Sequence, residues 1–214
     1  MLAGEIMNVG GLSKRIVNLA LTLVGHRRGG LGFVAIVAAC LLAALSGSAV
    51  ADTAALAALL LPMMVRAGHD KARAAGLIAS AGIIAPVIPP SIGFVIFGVA
   101  ANVSISKLFL AGIVPGAMMG VGIAVAWWWV AKRENVQPPP KATGAQRAKA
   151  FRESLWALFL PVIVLVGLKM GVFTPTEAAV VAAVYALFVA MVVYREMNFA
   201  QLYQVFVSAA KTTA

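Results

Sequence analysis

Two polar interruptions inside apolar segments are the features of this sequence that could bind an ion or a substrate. The tripeptides are Ser46-Gly47-Ser48 and Pro89-Pro90-Ser91. Where a helix is interrupted inside an apolar segment, the carbonyls that end one half can coordinate Na+, and the N–H groups that start the next attract an anion. The serines add hydroxyl oxygens, glycine permits a tight backbone, and prolines lack competing N–H donors. We therefore predict a Na+ site formed by six residues: Ser46, Gly47, Ser48, Pro89, Pro90 and Ser91.

Asp52 lies shortly after the first interruption, deep within an apolar segment. Ionisable residues inside a membrane are costly and mark functional sites by default. Asp52 is therefore a candidate substrate-binding residue, together with its neighbours Thr53 and Ala49. The alternative is that Asp52 is an N-cap-like group that stabilises the helix after the interruption.

The other reactive side chains offer no catalytic or metal-binding arrangement. His26 and His69 lie in charged segments, where we expect solvated side chains, and Cys40 lies in an apolar run as a small buried hydrophobe. Neither Ser48 nor Ser91 lies in a Gly-x-Ser-x-Gly motif, and no set of His, Cys or carboxylates has metal-ligand spacing. The sequence therefore predicts no enzyme, no cofactor and no metal ion other than Na+.

The composition places these interruptions inside a membrane protein. Of the 214 residues, 62% are hydrophobic and 11% are charged, and the mean hydropathy is +0.98. A soluble domain has about a quarter of its residues charged. The net charge of +10 does not indicate nucleic-acid binding, because the basic residues lie between apolar runs, where they are topology markers. The sequence predicts an all-α integral membrane protein with several spanning helices.

Residues 31–61 form an apolar stretch whose length fits neither one nor two spanning helices. A single helix would be about 46 Å long, well beyond the ~30 Å hydrocarbon core of a bilayer. Two halves separated at Ser46-Gly47-Ser48 would each reach only about 22 Å. We therefore predict a re-entrant hairpin that turns back at this tripeptide. Irregular backbone at that depth must be buried in protein or line a wet cavity.

The distribution of basic residues favours the hairpin. Four spans are expected after it: residues 74–101, 108–130, 155–168 and 176–193. If the hairpin returns to its starting side, every Lys and Arg except Lys107 and Lys169 lies on one face, which is cytoplasmic by the positive-inside rule. A through-span would instead move four further cations to the face of those two lysines: Lys14, Arg15, Arg27 and Arg28.

The first of these spans, residues 74–101, is itself interrupted. Pro86, Pro89 and Pro90 remove backbone donors and clash with preceding carbonyls, so a continuous helix is disfavoured. Two half-helices joined by an unwound Pro-Pro-Ser stretch are expected. The alternative is an ordinary span that is kinked by proline.

Later segments carry packing and interface signals. Gly112, Gly116 and Gly120 form a stripe of small residues for close helix packing. Trp127-Trp128-Trp129 indicates an aromatic belt at the membrane interface, and Glu177 is expected as a charge at a helix N-terminus.

The predicted organisation is a helix end plus an interfacial amphipathic helix (1–29), the re-entrant hairpin (30–66), the broken helix and the following transmembrane helix (70–131), a cytoplasmic linker (132–150), two transmembrane helices (151–195) and an amphipathic helix (196–214).

Three motifs in order make the chain resemble a known family. Residues 46–56, SGSAVADTAAL, resemble the first hairpin tip of the DctM-like large permease subunit of tripartite ATP-independent periplasmic (TRAP) transporters. Residues 75–93 resemble the broken helix of that subunit, and residues 171–179, GVFTPTEAA, match a further family signature. The resemblance extends over essentially the whole chain.

The resemblance implies an elevator-type Na+ symporter of the bacterial inner membrane, built as an inverted repeat of which this chain would be about half. It implies two protein partners, a small DctQ-like membrane subunit and a periplasmic DctP-like solute-binding protein. The expected function is import of an organic acid, a C4-dicarboxylate or a sugar acid. One alternative is a non-transporting packing subunit, which the paired interruptions disfavour. The other is an intramembrane enzyme, which the lack of an acid–base or nucleophile pair disfavours.

Overall fold

The computed structural model describes residues 2–134, 136 and 138–213, and within these ranges the chain is helical with no β-strand. A π-helical turn, Val189–Val193, continues the ninth helix. The α-helices follow in this order: α1 (Leu2–Val9), α2 (Leu12–Val24), α3 (Gly30–Ser46), α4 (Ala49–Arg66), α5 (Lys71–Gly82), α6 (Ile92–Ala100), α7 (Ile105–Arg133), α8 (Gly144–Lys169), α9 (Pro175–Phe188) and α10 (Phe199–Thr213).

Within the described ranges, four helical segments are long and apolar enough to cross a bilayer, namely α4, α7, α8 and Thr176–Val193. Helix α8 begins at Gly144, inside the stretch predicted to be a linker, so the non-helical connection is shorter than expected. A capping box explains this start, because Thr143 Oγ1 accepts from the Gln146 N–H at 3.3 Å and Gln146 Oε1 accepts from the Thr143 N–H at 2.9 Å.

Helices α3 and α4 are joined by two residues and pack against each other. Gly47 ends α3 in the left-handed conformation with φ 60°, and its N–H donates to the carbonyl of Ala43. Ser48 then caps α4, since its Oγ accepts from the N–H of Ala51 at 3.4 Å. At 17 and 18 residues, the two helices are about 25 and 27 Å long, slightly longer than the halves expected from the sequence.

The two ends of this helical pair lie at the same end of the molecule. The indole Nε1 of Trp127 donates to the carbonyl of Gly29, just before α3, at 2.8 Å. The ring of His69, just after α4, lies 5.6 Å from the Trp127 ring. A re-entrant hairpin requires this geometry, and the orientation of the pair in the membrane stays a prediction.

Trp127 is not the interfacial residue that the sequence predicted. Its side chain is buried, with 3% exposure, against Gly32 of α3, whereas Trp128 and Trp129 are exposed. Only the last two can form an aromatic belt. Trp127 differs because α7 turns that position towards α3, where the Gly29 carbonyl satisfies the indole N–H.

The prediction that His69 is solvated is wrong. His69 is 4% exposed, and its Nδ1 lies 2.6 Å from Oε2 of Glu134, the residue that follows α7. Arg73 Nη1 lies 3.3 Å from the other carboxylate oxygen of Glu134. The imidazole is buried because Glu134 supplies a partner. Glu134, expected in the polar linker, thereby holds the α4–α5 connection against the end of α7.

The second predicted interruption is present and longer than the Pro-Pro-Ser stretch. Helix α5 ends at Gly82 and α6 begins at Ile92. Residues 83–91 form successive turns, in which the Ile84 N–H donates to the carbonyl of Ala81 and the Ile88 N–H donates to the carbonyl of Ile84. A continuous helix kinked by proline is therefore wrong for this segment.

The glycine stripe of α7 holds the broken segment in place. A Cβ at Gly112 would lie 2.5 Å from the carbonyl oxygen of Val87, and one at Gly116 would lie 2.5 Å from Cγ1 of Ile88. A Cβ at Gly120 would lie 3.0 Å from Sγ of Cys40 in α3. The packing role predicted for the stripe is confirmed, and its contacts are with α3, the break and Phe94 of α6.

The predicted helix-end role of Glu177 is confirmed. The Glu177 carboxylate accepts from the N–H of Thr174 at 2.8 Å, while Thr174 Oγ1 accepts from the N–H of Glu177 at 3.3 Å. This reciprocal pair is a capping box at the start of α9.

Candidate functional site

The hairpin tip and the broken segment meet. A Cβ on Gly47 would collide with the carbonyl oxygen of Pro90 and would lie 3.3 Å from Cα of Ser91. The approach is possible because glycine lacks a side chain and tolerates the positive φ. Two interruptions more than forty residues apart in sequence therefore form one oxygen-rich contact.

The serine hydroxyls of this contact stabilise its backbone. Ser46 Oγ accepts from the N–H of Ser48 at 3.1 Å and donates to Oδ1 of Asp52 at 2.5 Å. Ser91 is 1% exposed, and its Oγ donates to the carbonyl of Pro86 at 2.6 Å. A hydroxyl has one donor and two acceptor positions, so Ser46, Ser48 and Ser91 each retain acceptor capacity in these contacts.

Asp52 is buried, with 2% exposure. Its Oδ1 accepts from Ser46, while Oδ2 is shielded from solvent and has no hydrogen-bond partner among the residues that the structure describes. An unpaired buried polar atom costs about 1–3 kcal/mol, so Oδ2 has strong capacity for a cation or a donor. The N-cap of α4 is Ser48, so Asp52 does not act as the cap. From the first turn of α4, Asp52 instead stabilises the α3–α4 connection by accepting the hydrogen bond from Ser46.

Three of the predicted site residues point elsewhere. Thr53 packs against Gly82 at the end of α5, where a Cβ on that glycine would collide with the threonine hydroxyl. Ala49 packs against the small buried cluster that contains Ile84. Pro89 lines a groove between α3 and α7. The substrate-binding roles of Asp52, Thr53 and Ala49 stay predictions, and the geometry supports Asp52 best.

A cavity of about 580 Å³ adjoins the tip, within the size range of small-molecule sites. Its polar lining includes Ser46, Ser91 and Thr176, and its apolar lining comes from α1, α3, α6, α7, α8 and α9. Helix α6 begins at this cavity, and Ser91 at its N-cap gives its hydroxyl hydrogen to the Pro86 carbonyl rather than capping the helix with its side chain. The first N–H groups of α6 can therefore interact with an anion.

Sequence reasoning missed the contributions of α1 and Pro86 to the site. A Cβ on Gly4 of α1 would lie 3.1 Å from Cβ of Ser46, so α1 packs directly on the tip. The Pro86 carbonyl is the acceptor that orients Ser91. Nothing in the sequence around Gly4 indicates this contact. The hydrogen bond from Ser91 to the Pro86 carbonyl spans only five residues, so it could have been proposed from the sequence.

Comparison with known proteins identifies the family. The profile of the tripartite ATP-independent periplasmic transporter DctM component matches residues 1–214. The chain is 62% identical, over its whole length, to the 2,3-diketo-L-gulonate TRAP transporter large permease protein YiaN of Escherichia coli and spans 50% of that protein. It is 41% identical to the C4-dicarboxylate permease DctM of Pseudomonas aeruginosa, again spanning 50% of the relative.

A third relative is the sialic acid TRAP transporter permease SiaT of Haemophilus influenzae, which is 39% identical over the whole chain. The chain spans 35% of this longer protein. The relatives are transporter permeases of the inner membrane rather than enzymes. The chain belongs to the DctM family of TRAP transporter large permeases.

Proposed function

We propose that this chain carries the first ion- and substrate-binding half of a Na+-coupled carrier that imports an organic acid. The observation that carries the proposal is the contact of Gly47 with the Pro90 carbonyl, beside the buried Oδ2 of Asp52. This contact concentrates carbonyl, hydroxyl and carboxylate oxygens, which hard cations prefer. Asp52 would supply the negative charge, and the serines would supply further oxygens.

The proposed substrate is a sugar acid rather than a C4-dicarboxylate. YiaN, at 62% identity, is named for 2,3-diketo-L-gulonate, a sugar acid, whereas relatives named for C4-dicarboxylates are 39%, 41% and 43% identical. Both substrate classes carry a carboxylate. The N-terminus of α6 can receive such a group at the cavity, because its N–H groups and helix dipole attract negative charge.

We propose a small DctQ-like membrane subunit and a periplasmic DctP-like binding protein as partners. The support is membership of a family described as tripartite. Relatives that are about twice as long as this chain carry the remaining part of the permease, so the experiment uses the complete permease with both partners.

Removing the tip and break hydroxyls together tests the ion site. In proteoliposomes with an imposed Na+ gradient, Ser48→Ala with Ser91→Ala should raise the Na+ concentration for half-maximal uptake about tenfold, equivalent to ~1.4 kcal/mol. Ser104→Ala is the matched control, because Ser104 also caps a helix through its hydroxyl but is exposed. Unchanged Na+ dependence in the double variant, at normal protein levels, would exclude these hydroxyls as ligands.

A further inference from the structure

Helices α2 and α8 pack together, with Ser154 Oγ donating to the Arg15 carbonyl at 3.0 Å, and four basic residues lie where the end of α2 meets the start of α8. We call His26, Arg27, Lys141 and Arg147 the basic cluster. His26 and Arg27 lie in the α2–α3 connection, Lys141 precedes α8, and Arg147 lies in the first turns of α8. The salt bridges and the His69–Glu134 contact that the structure describes all use other basic residues: Arg15, His69, Arg73 and Lys149. The positive charge of the cluster is therefore uncompensated within the described chain.

Two members of the cluster hold polar atoms that are shielded from solvent. Nε and Nη2 of Arg147 are buried and have no hydrogen-bond partner among the described residues, and the same holds for Nδ1 of His26. A buried guanidinium N–H without an acceptor is strongly unfavourable. Nε and Nη2 lie on one edge of the guanidinium, an edge that forms paired hydrogen bonds with a carboxylate or phosphate.

The local potential around His26 is positive. Burial lowers the pKa of the His26 imidazole, and Arg147, Lys141 and Arg27 lower it further. These three cations come from both sides of the cluster, from the α2–α3 connection and from the start of α8. An anion placed among them would offset their mutual repulsion.

The cluster lies at a level where lipid headgroups are expected. Gly29, three residues after His26, accepts from Trp127, and the adjacent Trp128 and Trp129 are exposed. Lys132 lies over the Trp128 ring at 3.4 Å from its centroid. Exposed tryptophans beside cations mark the membrane interface, and the density of basic residues assigns this end to the cytoplasmic side. Basic pockets there bind the headgroups of anionic lipids.

We propose that Arg147 and His26 form a binding site for the phosphate of an anionic phospholipid in the cytoplasmic leaflet. The Nε–Nη2 edge of Arg147 donates to two phosphate oxygens. His26 Nδ1 contributes a third hydrogen bond, and Arg27 and Lys141 supply long-range attraction. A bound lipid would join the α2–α3 connection to the start of α8.

Lipid titration of the purified chain tests the site. The chain is kept in dodecyl maltoside, which carries no phosphate, and phosphatidylglycerol binding is followed by native mass spectrometry. Wild type should bind one phosphatidylglycerol more tightly than any further copies, and Arg147→Gln should weaken that first binding about tenfold. Arg152→Gln is the matched control, since it removes an exposed cation from the same helix and should leave the affinity unchanged. Equal binding by Arg147→Gln and wild type would overturn the proposal.

Two further measurements distinguish a lipid phosphate from a soluble phosphate and show whether the variant is still folded. Phosphatidylcholine should bind more weakly than phosphatidylglycerol, and millimolar inorganic phosphate should not displace the lipid. Displacement would show a site for soluble anions and overturn the lipid assignment.

Without lipid, Arg147→Gln should melt no lower than wild type, because it removes unpaired buried donors. Phosphatidylglycerol should raise the melting temperature of wild type and of Arg152→Gln but not that of Arg147→Gln. A lipid-independent melting loss in Arg147→Gln would show that the guanidinium has a partner within the protein and would overturn its assignment as a lipid ligand.

Discussion

At the residue scale, Gly47 combines a backbone constraint with a close contact. Its φ of 60° disfavours any residue with a Cβ, and a Cβ there would also collide with the Pro90 carbonyl. Gly171 has a similar φ of 70° with nothing within 4 Å of the Cβ position. The pair therefore separates the energetic cost of the conformation from that of the contact between tip and break.

Gly171→Ala should destabilise the protein by about 1–2 kcal/mol, the usual cost of a left-handed conformation for alanine. Gly47→Ala should cost a further ~1–3 kcal/mol, because the added methyl group forces the tip and the break apart. Denaturant unfolding in detergent, followed by circular dichroism, measures both. Equal losses in the two variants would show that the tip and the break are not in tight contact.

Trp127 provides a second test at this scale. Trp127→Phe removes one hydrogen bond to the Gly29 carbonyl, which still accepts from the N–H of Gly32, and leaves part of the indole volume empty, so we expect a loss of about 1–3 kcal/mol. Trp128→Phe removes an indole from an exposed neighbour and should change stability by about 0.5 kcal/mol or less. The same unfolding measurement applies. A Trp127→Phe variant as stable as Trp128→Phe would contradict the buried role of Trp127.

At the scale of elements, the sequence predicts interruptions better than it predicts partners. Ser46-Gly47-Ser48 and Pro89-Pro90-Ser91 are visible because glycine and proline act on their own backbone. The contact of Trp127 with Gly29 joins residues 98 apart, and that of His69 with Glu134 joins residues 65 apart. Such contacts depend on how α3, α4 and α7 pack, which no local pattern specifies.

The candidate site divides in the same way. Ser46 and Asp52 are close in sequence, and a turn at Gly47 is enough to bring a serine hydroxyl to the carboxylate. By contrast, Thr53 faces Gly82 because α5 packs against α4, and this orientation requires the tertiary arrangement. The start of α8 could have been predicted from the sequence, because Thr143 and Gln146 have capping-box spacing.

At the scale of the whole molecule, most of the described buried apolar residues, from α1 to α10, meet in one core, beside the small cluster that contains Ile84. Helices α1 and α2 lie at its centre, with Ile6, Leu12 and Ile16 at 1% exposure or less. The outer faces of α7 and α8 are apolar and exposed, including Met118 and Phe159. Apolar side chains on these outer faces suit contact with lipid or with a further membrane segment, where their exposure carries no cost.

Cysteine labelling tests the position of the α3–α4 pair in the membrane. Cys40 is the sole cysteine of the sequence, so Cys40→Ala gives a background without thiols. In that background, single substitutions Arg28→Cys and Lys71→Cys place exposed thiols before α3 and after α4. Lys107→Cys places an exposed thiol at the start of α7, on the opposite predicted face.

Because both ends of the pair contact Trp127, positions 28 and 71 should share one face. In intact cells, a membrane-impermeant maleimide should label Lys107→Cys from the periplasm and should reach the other two only after permeabilisation, since basic residues concentrate on the cytoplasmic side. Helix α4 is long enough to span by itself, so its length alone does not decide the topology. Labelling of 28 and 71 from opposite faces would make α3 and α4 one crossing unit and would reverse the orientation of every helix after them.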